Sequence, residues 1–160
     1  MTGECVPELE RVLSDWRARM RPTARTTPRA GSRGRHEEAL VRALLNASAA
    51  PDDVSVPEHE ACMRAVVLSA AAYGEDHPTA RLDPAALLGQ ISALRAAAWQ
   101  QFSTHETAPE RASRRILALD RTLSLVVRAS MRGAARGDLE ARGQWPRALE
   151  AMMDDEQERR

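Results

Sequence analysis

An all-α fold is predicted by three observations. Apolar residues recur three and four positions apart along most of the chain, with no strand-like alternation and no internal repeat. The interruptions in that pattern fall on prolines, glycines and helix-capping residues. The apolar inventory is dominated by small aliphatic side chains, with 29 alanines and only five aromatics (Trp16, Tyr73, Trp99, Phe102 and Trp145), which suits helices that approach closely. At 160 residues and 43% hydrophobic content the chain suffices for one domain with a sizeable core and excludes wholesale disorder. About six or seven helices are expected.

The first helix spans Pro7 to about Arg21, with Leu9, Val12, Leu13, Trp16 and Met20 on one stripe. Pro7 suits a first turn, where its missing N–H costs nothing, and Pro22 stops the helix. Residues 22–35, PTARTTPRAGSRGR, lack any apolar side chain larger than alanine and read as a flexible, solvated linker. A second helix covers about His36 to Ala50 on Leu40, Ala43, Leu44 and Ala47, ended by Pro51-Asp52-Asp53. Ser55-Val56-Pro57-Glu58 is a capping box that opens a third, with Ala61, Ala65, Val66, Leu68, Ser69 and Ala72 expected inward and Gly74 at its end. After a connection from Gly74 to Leu82, Asp83-Pro84 reads as N-cap and first-turn proline. The helix behind it presents Leu87, Leu88, Ile91, Leu94, Ala98, Trp99 and Phe102. Thr107-Ala108-Pro109-Glu110 reads as a second capping box opening the longest helix, to about Arg136. Its inward set is Ile116, Leu119, Leu123, Val126, Val127, Ser130 and Met131. Gly137-Asp138 is expected to restart the chain. Pro146 then breaks it before a short amphipathic tail carrying Leu149, Met152 and Met153, whose acidic end opposes the helix dipole.

Charge narrows the function classes. Acidic and basic residues number 23 each, so the chain lacks the positive field that nucleic-acid or acidic-membrane binding requires. All 23 basic residues are arginine, a usage that with the alanine content resembles a GC-rich bacterial genome. Cys5 and Cys62 form no disulfide framework and are expected as reduced thiols. The N-terminus carries Glu4 and Glu8 without an apolar core, unlike a secretory signal. The longest apolar stretch, Ala65 to Tyr73, is about half of the roughly 20 residues a membrane crossing needs. A soluble cytoplasmic protein is expected.

No catalytic motif is present: no phosphate-cradling glycine loop, no Gly-x-Ser-x-Gly elbow, no His-Glu-x-x-His. The carboxylate neighbours Glu37-Glu38, Asp52-Asp53 and Asp154-Asp155 diverge by about 100° on a helix and do not share a site. His36 opens a helix and His105 sits in a loop; both are expected at the surface. His59 and Cys62 share a helix face but supply only two of the four ligands structural zinc wants. The expectation is no enzyme, no catalytic residues and no metal.

The stretch Tyr73-Gly74-x-x-His77-x-x-x-Arg81-Leu82-x-Pro84-x-x-Leu87-Leu88-x-x-Ile91-x-x-Leu94-Arg95 resembles a segment of the globin-like helical sensor domains of bacterial histidine kinases and stressosome co-antagonists. Leu119-Asp120-Arg121-x-Leu123 is similar to the opening of that family's last long helix. The likeness covers roughly residues 36–136. It departs at Tyr73, which stands for a histidine, at His77 for an arginine, at Arg81-Leu82 for Gly-Phe, and at Gln90-Ile91 for Glu-Tyr. The same stretch is similar to the haem-binding relatives, in whose register Gly74, His77, Ala80, Leu82 and Pro84 fall. That likeness would make His77 the axial imidazole of a haem.

The resemblance implies a globin-like core over 36–136, flanked by an N-terminal helix (1–21), the linker (22–35) and a short helical tail (137–160). It further implies a homodimer whose last helices form a bundle, shifted between two packings by a ligand, partner or redox event. The inward candidates are Ile116, Leu123, Val127 and Met131, with Leu87, Ile91, Leu94 and Trp99 opposite. No kinase or STAS-like output is present in the sequence, so the expectation is either a kinase or other regulator acting in trans or a fragment of a longer protein. The leading expectation is a sensory or regulatory helical domain without cofactor; the alternative is a haem or small-ligand sensor using His77.

Overall fold

The computed structural model describes residues 5–20, 33–49, 55–76 and 84–141. They form five helices, all-α: α1 (Cys5–Met20), α2 (Arg33–Ala47), α3 (Val56–Glu75), α4 (Pro84–His105) and α5 (Pro109–Ala141). No described helix is long and apolar enough to cross a membrane. The tail from 142, with Trp145, Leu149, Met152 and Met153, lies outside the described residues, as do residues 21–32, Asp52-Asp53, Asp83 and His77, so the expectations for them are not addressed by the fold.

The helices are packed α1 on α2 and α4, α2 on α3, and α5 on both α3 and α4. The stripe read from α1 is buried: Leu9, Val12, Leu13 and Trp16 all belong to the common core. The N-terminal helix is therefore part of the bundle and not an appendage to residues 36–136. Trp16, fully buried, donates its indole N–H to the Gln90 carbonyl (2.9 Å) and lies 5.5 Å from the Tyr73 ring. Tyr73 in turn donates to Gln90 Oε1 at 2.5 Å. One glutamine on α4 thus satisfies the polar ends of both buried aromatics, removing the cost of sealing them in.

α3 and α5 meet through small residues. A Cβ on Gly74 would fall 1.9 Å from the Ser130 carbonyl oxygen, and one on Gly133 would fall 1.9 Å from that of Ala71. Only hydrogen at both positions lets the two backbones come this close. Gly74 therefore serves the crossing and not merely a helix end.

Several boundaries and faces differ from expectation, each for a physical reason. α2 begins at Arg33, three residues inside the expected linker, and Glu37 on its first turns is buried against Arg17 (2.9 Å). α5 does not restart at Gly137; that residue is buried in line with Ser130, Gly133 and Ala134, so core contact continues to Gly137 and the helix runs on to Ala141. At 33 residues it is about 50 Å long. The Ser55 box forms, Glu58 accepting from the Ser55 N–H (2.9 Å) and hydroxyl (2.7 Å), and these bonds hold its carboxyl below the usual range. The Thr107 box does not: the first α5 turn closes onto the Ala108 carbonyl, so Ala108 occupies the cap position and Thr107 lies outside it.

The inward faces also need correction. Leu68 is 65% exposed, and Ala61 and Ala65 are exposed too. Leu68 is two residues past the buried Val66, hence about 200° round the helix. Trp99 and Met131 are 42% and 40% exposed. Each is five residues past a fully buried position, Leu94 and Val126, and so about 140° away from the core direction.

Candidate functional site

Among the concave or apolar surfaces of this packing three differ clearly in chemistry; a further cavity, of about 420 Å³ between α2 and α3, holds the Glu38–Arg42 pair. The first is a cavity of about 450 Å³ at the end of the bundle where α1 begins and α4 ends. Arg115 dominates it: Nη1 meets Glu8 at 2.9 Å and Glu106 at 3.6 Å, and the guanidinium stands 4.0 Å over the Phe102 ring. Arg111 reaches the same Glu106 at 3.6 Å. Arg11 donates from Nε (3.0 Å) and Nη2 (3.3 Å) to the side-chain amide oxygen of Gln101, with the amide turned to accept both. With two carboxylates among three guanidinium groups, most of the charge here is already matched. The cluster ties α1, α4 and α5 together, with the buried Arg115 Nε left without a hydrogen-bond partner.

The second is a cavity of about 400 Å³ between the C-terminus of α2, the first turns of α3 and the middle of α5. Ala47, Val56, Met63 and Ala118 make its walls apolar. Val56 is 74% exposed, a large side chain left open to solvent at this point. Thr122 lines it too, but its hydroxyl donates to the Ala118 carbonyl at 2.8 Å. The remaining polar side chains are His59 and Arg121. Among the described residues neither side chain has a hydrogen-bond or ion-pair partner, and no carboxylate lines the cavity.

The third surface follows the α4–α5 seam. Arg95 donates to both oxygens of Asp120 at 2.8 Å, and these bonds lower the Asp120 carboxyl pKa. Because the two helices are joined by a three-residue turn and run antiparallel, this pair fixes the register. Leu88, seven residues before Arg95, is then level with Val127, and Trp99, four after it, with Ile116. Leu88, Trp99 and Met131 are each about two-fifths exposed, and Ile116 and Val127 are partly buried. The outer rim of the seam is an apolar strip with one ion pair in its middle. The Arg95 guanidinium also lies 5.5 Å over the Trp99 ring, holding the indole against the surface.

The residues expected as core or pocket lining divide cleanly. Leu87, Ile91, Leu94 and Leu123 are buried in the core; Trp99, Ile116, Val127 and Met131 trace the seam. None of the eight lines any cavity above. His77 lies outside the described residues. His36 is not merely a surface residue: its Nδ1 meets Asp76 at 3.1 Å and the Ala72 carbonyl at 3.2 Å, at the C-terminal end of α3 where a cation is favoured. His105 lines the bundle-end cavity and is exposed. His59 belongs to the second cavity, whereas Cys62, a free thiol, packs on the core. No group of three or more metal-ligating side chains occurs among the described residues. Glu37 and Glu38 diverge: the first is buried on Arg17, the second exposed and 2.6 Å from Arg42.

The Arg115 cluster and the His59–Arg121 pair were both missed from sequence. The signal available was weak: Arg11 and Glu8, or Arg111 and Arg115, share helix faces, but nothing in their spacing joins α1 to α5. No known protein family, curated protein or solved structure matches the chain.

Proposed function

We propose that this chain is a non-catalytic regulatory helical domain that acts in bacterial signal transduction through protein contacts, with the α4–α5 seam as its contact surface and a second copy of the chain as the first occupant. The observation that carries this reading is the exposure of three large apolar side chains along α4 and α5, Leu88, Trp99 and Met131, each about two-fifths open to solvent. Pairing two such strips about a two-fold axis buries both and brings each Arg95–Asp120 pair, in the middle of its strip, into the contact. The globin-like resemblance supports the same arrangement, since it implies a dimer through the last long helices. Tyr73 and Gln90, two positions at which the sequence departs from that family's pattern, are bonded to each other, a paired substitution compatible with a kept fold. A kinase or related regulator in trans is the output this reading calls for.

Solution mass tests it. The wild-type chain is expected at twice 17.6 kDa, and Leu88→Glu or Met131→Glu at 17.6 kDa with unchanged helical circular dichroism. A wild-type monomer at high concentration removes the dimer. The haem alternative turns on His77; a Soret band in haemin-loaded protein that disappears in His77→Ala decides for it, and a flat spectrum decides against.

A further inference from the structure

The cavity between α2, α3 and α5 combines three properties that the other surfaces lack together. Its walls are hydrocarbon: Ala47, Val56, Met63 and Ala118. Its volume, about 400 Å³, lies within the range of small-molecule sites, roughly 300–1,000 Å³. Besides Thr122, its polar side chains are a guanidinium and an imidazole, unpaired among the described residues, whereas Arg115 and Arg111 of the bundle-end cavity face carboxylates at 2.9 and 3.6 Å and Arg11 faces the Gln101 amide. The nearest acid on the first turn of α3, Glu58, is held by Ser55 and does not line the cavity. Thr122, whose hydroxyl is bonded to its own helix, leaves no other side-chain donor to compete for an acceptor.

We infer that this cavity binds a small amphipathic monoanion: an aliphatic or aromatic carboxylate whose hydrocarbon part fills the space over Val56, Met63 and Ala118 and whose head group pairs with Arg121, beside His59. The apolar part gains by removing Val56, now mostly exposed, from water, at about 25 cal/mol per Å² of area covered. The carboxylate gains a charge-assisted, two-pronged hydrogen bond from the guanidinium fork. A neutral ligand of the same shape forgoes the second contribution. A dianion or phosphate is disfavoured, because its larger hydration shell would have to be shed against hydrocarbon walls for one guanidinium partner. The assignment does not depend on the seam: it concerns the α2–α3–α5 side of the molecule, and it stands or falls separately from dimerisation.

Titration calorimetry with decanoate, and with decanol as the uncharged counterpart, tests the inference on the full chain. Decanoate is expected to bind wild type about tenfold more tightly than decanol, the ratio that one charge-assisted bond supplies. Arg121→Gln, at an exposed position where folding is unaffected, is expected to weaken decanoate about tenfold and leave decanol unchanged, so that the two ligands become equal. Met63→Trp, which fills the cavity, should abolish both; amide spectra of that variant show whether it remains folded. Equal affinity of the two ligands for wild type, an Arg121→Gln variant that binds decanoate as well as wild type does, or no binding of either ligand at millimolar concentration overturns the inference.

Discussion

α5 is held on its two sides in opposite ways. Against α3 it presents Ser130, Gly133 and Ala134, and the contact is backbone on backbone, with carbonyl oxygens where a Cβ would stand. Against α4 it presents Ile116, Asp120, Val127 and Met131, large side chains only partly withdrawn from water and pinned by one surface ion pair. The first contact is complete in itself: nothing can be added and little changed. The second has surplus apolar area on its rim, and area of that kind gains free energy only when something covers it. One helix thus carries a fixed side and an unfinished side, and the contrast separates what holds the fold from what is available for function.

The sharpest way to break this contrast is to add one methyl group at the crossing. Gly133→Ala places a Cβ 1.9 Å from the Ala71 carbonyl oxygen, and Gly74→Ala does the same at Ser130. A flexible side chain could move aside, but backbone cannot, so the two helices must separate and strip contacts from both. Either change is expected to cost about 3 kcal/mol or more, at the upper end for overpacking, measured by urea denaturation. A loss under about 1 kcal/mol would show that the helices are not in backbone contact.

A second, smaller effect tests the polar support of the core near that crossing. Tyr73→Phe removes the hydroxyl that donates to Gln90 and leaves Oε1 of a partly buried amide without its phenol. The expected loss is about 1 kcal/mol. Gln90 still accepts from Trp16 through its backbone, so the indole bond survives. Gly89→Ala gives the opposite sign from the crossing glycines: no atom lies within 4 Å of its would-be Cβ, and the residue is exposed in the middle of α4. Replacing it should stabilise the chain by about 0.5–1 kcal/mol through helix propensity and the unfolded chain's lost freedom. The same substitution at three glycines therefore reads out local geometry directly.

What the sequence made legible follows the same division. The all-α class, the aliphatic stripe of α1, the Ser55 cap and the proline stops depend on neighbours within about one or two helical turns, and periodicity reports those. Rotation about a helix axis is harder. In alanine-rich α3 and α4 almost every face holds some apolar residue, so Leu68 and Trp99 extend a stripe on paper that the packing does not use. Gly74 and Gly133 are 59 positions apart, and no local pattern says that they face a common crossing. The shared cavity of His59 and Arg121 is of the same kind: a histidine on the first turns of one helix and an arginine in the middle of another line one space only because α3 and α5 lie together. Glu8, Glu106 and Arg115 likewise come from a helix, a turn and a second helix.

The smallest expected effect concerns the seam and carries a definite sign with pH. Arg95 lowers the Asp120 pKa chiefly through two hydrogen bonds, so the folded carboxyl releases its proton more readily than the unfolded one. A depressed folded value means that the pair contributes fully above the unfolded aspartate pKa, about 3.9, and that the contribution is lost as pH falls through the folded value. Both partners are substantially exposed, at 50% and 34%, so screening keeps the contribution within about 0.2–1 kcal/mol. Asp120→Asn should therefore lower stability by that amount at pH 7, and the difference from wild type should vanish in acid. If the seam is where a second copy docks, association removes water from the same pair and raises its importance to the assembled protein above its importance to the monomer. Asp120→Asn would then weaken dimerisation more than it weakens folding, whereas equal small effects on both would place the ion pair outside the contact and move the interface toward the opposite edge of the strip.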